Sequence, residues 1–187
     1  MAPAGALILV LLLATGCREA KRPPGSSPSA PPSPPTAISG RGVGCLAIGF
    51  PLAALPPECR IVGDRIVPGP EGSQERRVDV VVGADTVAAT VVGDSIWRLD
   101  VVSRTLRTHD GLGVGSPAAE LLARAGSRII GGEGRLFVTL PDECGLSFEV
   151  GAVPRELLAL PPERAAERMP DTATIERVLV FGCEGRT

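Results

Sequence analysis

One pattern in this chain occurs twice, and it constrains the architecture more than any local propensity. Ile48-Gly49-Phe50-Pro51-Leu52-Ala53-Ala54-Leu55 places Gly, Pro, Ala and Leu at the same offsets as Val114-Gly115-Ser116-Pro117-Ala118-Ala119-Glu120-Leu121, with a β-branched residue before each glycine. Downstream of each copy lies a second shared pattern. Ile96-Trp97-Arg98-Leu99-Asp100-Val101 and Ile175-Glu176-Arg177-Val178-Leu179-Val180 both read Ile-x-Arg-apolar-x-Val. Two patterns repeated in one order are the mark of a duplicated unit. They predict an α+β fold of two tandem modules, 42–106 and 107–187, each a short helix followed by an antiparallel β-meander.

The stretch RTHDGLGVGSPAAELLARAG, residues 107–126, joins the two modules. Ser116 is suited to an N-cap, and Pro117 to the first helical position, where its missing N–H has no partner to lose. Ala118, Leu121, Leu122 and Ala125 then follow helical spacing, and Gly126 can stop the helix. In the first copy Pro56 and Pro57 end the helix early. Residues 61–67, 78–82, 86–92 and 95–102 read as strands, with Gly93-Asp94 as a tight turn. In the last of these Trp97, Leu99 and Val101 alternate with Arg98 and Asp100, which predicts one buried and one wet face. A second hairpin, 135–140 with 145–150, helical turns at 155–160 and 162–169, and a final strand complete the second module.

The N-terminal end is of another kind. Residues 6–14, ALILVLLLA, are too few to span a bilayer as a helix but match a signal-peptide core. Ala14-Thr15-Gly16-Cys17 follows, and it resembles the lipobox of bacterial lipoproteins. The resemblance implies that 1–16 is a signal peptide cut after Gly16 and that Cys17 carries the lipid. The competing reading is an ordinary secretory peptide cut near Ala14 or Gly16. Acyl chains stabilise membrane attachment by about 0.8 kcal/mol per buried methylene, so two or three make a stable anchor. Residues 17–41 are Pro/Ser-rich without apolar periodicity, the composition of a disordered tether.

Four further cysteines, Cys45, Cys59, Cys144 and Cys183, form an even set in an exported chain, which predicts two disulfides with three possible connectivities. The favoured pairing is Cys45–Cys59, a clasp around the first short helix, with Cys144–Cys183 tying the last hairpin to the final strand. No C-x-x-C spacing suggests a metal site.

The remaining chemistry is sparse. A formal net charge of −2 recruits neither nucleic acid nor an anionic membrane. With 3% aromatic residues and no tyrosine, platforms for stacking bases or sugars are scarce. His109 and Asp110 near Ser116 suggest a hydrolase, but there is no G-x-S-x-G, Ser116 is accounted for as a cap, and Asp110 before Gly111 is a turn residue. Gly111-x-Gly113-x-Gly115 fits neither the dinucleotide fingerprint nor the P-loop, so no nucleotide cofactor is expected. Arg98 and Arg177, equivalent by the repeat, are placed on the polar strand face, where the pair could engage an acidic partner.

Arg107-Thr108, Gly111–Ser116, Gly126 and Gly145–Phe148, with Gly49–Leu55, together resemble a class of small bacterial envelope lipoproteins. Their modules are similar to the outer-membrane assembly lipoproteins of SmpA/OmlA type and to the β-lactamase-inhibitory protein. The likeness covers 43–183 at the level of architecture. It implies a non-catalytic protein without cofactor, held to the membrane by its N-terminal lipid on the periplasmic face of the outer membrane. Such a protein would bind another envelope protein through the open sheet face or the Gly-rich loops. The alternative it implies is a periplasmic hydrolase inhibitor or sensor that inserts the loop 104–116, with His109 and Asp110, into an active site.

Overall fold

The computed structural model describes residues 37–69 and 72–183. The signal peptide, the cut after Gly16, the lipid on Cys17 and the tether through residue 36 lie outside the described residues. Ile38 and Ser39, assigned to the tether by composition, form the strand β1 (Ile38–Ser39). It pairs with β2 (Gly42–Val43), which pairs with β3 (Leu46–Ala47), in a small antiparallel sheet. Ile38 is buried, and its N–H donates to the Arg107 carbonyl at 2.7 Å, so packing starts there.

A 3-10 turn, Leu52–Ala54, leads into β4 (Arg60–Pro68), β5 (Gln74–Val82), β6 (Asp85–Val92) and β7 (Ser95–Val101). After a loop come α1 (Ala118–Leu122), β8 (Arg128–Gly132), β9 (Arg135–Thr139) and β10 (Leu146–Val150). Short helices α2 (Arg155–Leu158) and α3 (Pro162–Glu167) precede β11 (Ile175–Val180). The eight long strands form one antiparallel sheet in the order β4-β5-β6-β7-β11-β10-β9-β8.

This corrects the expected α+β fold of two helix-plus-meander modules. The protein is mostly β, and segments 42–106 and 107–187 are not separate: they share a sheet through β7 and β11. The physical reason is the edge. β7 and β11 each carry a row of N–H and C=O groups that would otherwise be unpaired, and pairing them removes two edges at once. Leu99, Asp100 and Val101 face Val180, Leu179 and Val178, a register with two-fold symmetry about the Asp100–Leu179 pair. Among the described residues the helices are too short, at most six residues, to form a layer of their own.

The repeated residues do occupy equivalent backbone positions. Gly49 N–H donates to Ile96 O at 2.7 Å and Ile96 N–H to Phe50 O at 3.0 Å. Gly115 N–H donates to Ile175 O at 2.6 Å and Ile175 N–H to Ser116 O at 2.9 Å. Gly49 and Gly115 have φ of 80° and 90°, a region where a side chain is strained, which is why glycine stands at both. Two local expectations change. Pro117, not Ser116, is the N-cap of α1. In β7 Ile96 and Leu99 are buried while Trp97 is exposed, because a bulge opposite Thr90 and Val91 leaves Trp97 without a direct partner and resets the alternation.

The core lies on one face of the sheet. Val78, Val80, Val87, Leu99, Val101, Phe148, Val178 and Val180 contribute from the strands, and Leu106, Leu112, Ala118, Leu121, Leu157 and Ala165 cover them from loops and helices. The disulfides are Cys45–Cys59 and Cys144–Cys183, with Cα atoms 6.1 and 5.3 Å apart. They place the domain in an oxidising compartment outside the cytoplasm.

Candidate functional site

The face opposite the core carries a strip of paired charges that crosses β5, β7, β11, β10 and β9. Its two anchors are acids that the arginines bury: Asp100 is 2% exposed and Glu149 1%. Burying a carboxylate costs several kcal/mol unless it is compensated, and here the compensation is shared. Asp100 Oδ2 lies 3.4 Å from Arg98 Nε and 3.8 Å from Arg77 Nη2, while Oδ1 lies 3.4 Å from Arg177 Nη1. Arg177 reaches on to Glu149, its Nε 3.1 Å from Oε2, in an ion pair that lacks hydrogen-bond alignment. Arg135 closes the strip, bonding Glu149 on one side and Glu176 at 3.0 Å on the other. At the opposite end Arg98 Nη2 donates to Thr90 Oγ1 at 3.2 Å and sits 3.3 Å from Glu75 Oε2. Burial, then Glu176, push the Glu149 carboxyl above its ordinary value, against the pull of Arg177 and Arg135.

The curl of the sheet makes this face concave. Glu133, in the β8–β9 turn, lines a hollow of about 500 Å³ together with Val67, Glu75, Arg77 and Arg98 from the other end of the sheet. It also lines an adjoining hollow of about 290 Å³ with Arg135, Val153 and Glu176. Arg98 and Arg177 are therefore brought together, on a shared carboxylate. The acids that join them, Asp100 and Glu149, were not singled out by sequence reasoning. The available signal was that each falls at an outward position between arginine-bearing strands.

His109 and Asp110 lie elsewhere, at the exposed tip of a tight turn. Gly111 N–H donates to Thr108 O at 3.0 Å, Thr108 N–H to Leu112 O at 2.8 Å, and Leu112 N–H to Thr108 Oγ1 at 3.2 Å. Arg124 fixes Asp110 from outside at 2.8 Å. Ser116 is buried and serves this loop: its Oγ accepts from Gly113 N–H at 3.1 Å and from Arg107 at 3.2 Å. Ser116→Ala leaves that buried N–H unsatisfied and is expected to cost about 1–3 kcal/mol in urea denaturation.

Burial, then repulsion from Asp110 and Asp142, raise the Glu143 carboxyl above its ordinary value, partly opposed by Arg124 and the Thr108 hydroxyl. A raised folded-state pKa favours the protonated form, so this contribution is fully present at acid pH. It is lost as pH rises from the ordinary carboxylate range, about 4.3, through the raised value. Glu143→Gln carries no such loss. Its stability relative to wild type is expected to improve across that window by about 0.5 kcal/mol or less, read as the difference in urea midpoints at successive pH values. A variant whose relative stability falls as pH rises would contradict the assignment.

Among the described residues no three of His, Cys, Asp or Glu converge on a possible metal position, and no helix is long and apolar enough to cross a membrane. No protein-family model matches the chain, and no curated protein matches it. Among solved structures the chain is similar to the uncharacterized protein yfeY from Escherichia coli, at 18% sequence identity and a TM-score of 0.55, covering 78% of this chain and 99% of that one. At that identity the likeness is one of fold alone.

Proposed function

We propose that this is a non-catalytic envelope protein, lipid-anchored through Cys17 on the periplasmic face of the outer membrane, that binds another envelope protein across its concave sheet face. The observation that carries the reading is the charged strip. Its side chains are held by one another before any partner arrives, so little rotamer freedom is lost on docking. Arg135 and Glu176, each nearly half open at the rim, are the charges available to a partner. Rim charges of this kind chiefly set encounter rate and partner choice. The disulfides support an envelope location, and the lipobox resemblance supports the anchor.

The test is site-specific photo-cross-linking in cells with the reactive group at Glu133 or Glu176. A discrete envelope partner, lost in Arg135→Glu and not captured from Glu58 in the first disulfide loop, is the expected result. The same adducts from all three positions would overturn the reading.

The rigid turn at 108–112 favours a second reading, the hydrolase inhibitor or sensor. His109 and Asp110 are presented on a base held by three hydrogen bonds and the Arg124 pair, a preorganisation suited to entering a cleft. Inhibition of a periplasmic hydrolase that is lost in His109→Ala, with the sheet-face variants unaffected, would replace the first reading with this one.

A further inference from the structure

Five aromatic side chains occur in the sequence, and the fold uses them unevenly. Phe148 is fully buried in the core, whereas Trp97, Phe181 and Phe50 are 49%, 40% and 37% exposed. These three gather at one end of the sheet. The Trp97 and Phe181 rings meet edge to face with centroids 6.0 Å apart, and the Arg98 guanidinium stands 5.7 Å from the Trp97 centroid. The Phe50 carbonyl accepts the N–H of Ile96, directly before Trp97. Val92, in the same hairpin, is also exposed.

The turn between β1 and β2 lies beside this patch. A Cβ on Gly40 would meet Cys144 O at 1.7 Å and Cys183 Sγ at 2.7 Å, so this turn packs against the second disulfide. Phe181 lies two residues before Cys183, and Gly182 between them abuts Ile48, two residues before Phe50. Ala37 lies three residues before Gly40, so the stretch that leads back to Cys17 begins within about 10 Å of that turn.

We propose that this end of the sheet rests on the lipid headgroup region of the membrane, with Trp97, Phe181 and Phe50 entering the interface. The proposal rests on the lipid-anchor reading. Trp favours such a boundary, where its apolar ring body meets a wet, polar layer, and Phe is at home on the apolar side of an interfacial surface. Area argues for a bilayer over a protein partner. Three rings of about 150–250 Å² each, less than half open, expose about 300 Å² in total. A standard protein interface needs about 800 Å² per partner. A tethered contact needs far less, because the anchor already supplies a high effective concentration at the surface.

The chain has a single tryptophan, which makes the test direct. Full-length protein purified from cells fed a palmitate analogue is reconstituted into phosphatidylethanolamine–phosphatidylglycerol vesicles with brominated acyl chains, and Trp97 emission is recorded. The expected result is a labelled chain whose emission shifts to the blue and is quenched. Bromines near the carbonyl end should quench more than bromines near the methyl end, the depth order for a ring about 5–10 Å into the boundary. Phe50→Ser with Phe181→Ser, folded by circular dichroism, should lose most of the quenching while remaining in the vesicle fraction. A labelled, vesicle-bound chain with unquenched tryptophan overturns the patch and leaves the anchor standing. A chain without label at Cys17 overturns the anchor, and the patch with it.

Discussion

Asp100→Ala is expected to lower the stability of the folded domain by about 3–5 kcal/mol, the cost of removing one partner from a buried charge network. Asp100 is 2% exposed and has Arg77, Arg98 and Arg177 within 3.8 Å. Without it, guanidinium groups from three strands, β5, β7 and β11, lose the anion they share. The expected signature is a lower urea midpoint with an unchanged slope, since the surface exposed on unfolding is the same. Adding Arg177→Met should recover part of the loss, because the two residues are coupled and their effects do not add. A single variant within about 0.5 kcal/mol of wild type would mean that the arginines are solvated and that Asp100 is incidental.

Cys144→Ser is the second large effect. The bridge to Cys183 closes a loop with a sequence separation of 39, against 14 for Cys45–Cys59. Loop-closure entropy then predicts losses of about 4 and 3 kcal/mol respectively. The longer bridge is also embedded. Gly145 has φ of 73°, and a Cβ there would stand 2.6 Å from the Gly40 carbonyl oxygen and from the Gly182 backbone. Three backbone segments thus meet at this bridge, and releasing it loosens the β1–β2 turn, the start of β10 and the end of β11 together. Thermal unfolding of Cys144→Ser and Cys45→Ser, with and without reductant, checks the order. Equal losses, or a larger loss at Cys45, would contradict it.

What the sequence makes legible here is local. The Gly93-Asp94 turn, the strands at 78–82 and 145–150, and the helical turns near 155 and 162 could be read from neighbouring residues, and the favoured one of three disulfide connectivities is the one the structure holds. The joining of β7 to β11 could not, since no residue in either strand encodes a partner more than seventy positions away. The strand β8 was also missed: Ser127-Arg128-Ile129-Ile130-Gly131-Gly132 is short and ends in two glycines, which read as loop. Trp97 was placed in the core by alternation and stands outside because a bulge adds one residue to the count. The charged strip shares this origin. Arg98 and Arg177 are visible as a repeated pair, but the acid that holds them depends on the β7–β11 register, so a pair offered to an acidic partner is largely occupied within the chain.

That register has a further consequence. A two-fold sheet assembled from two identical chains must place the same residue on both sides of its axis. Two aspartates there would set like charges directly opposite, which is destabilising, and two leucines would leave both arginines without an anion. This chain has Asp100 on one side of the axis and Leu179 on the other. One carboxylate therefore serves arginines from both strands, an arrangement open only to a sheet whose two sides are free to differ in sequence.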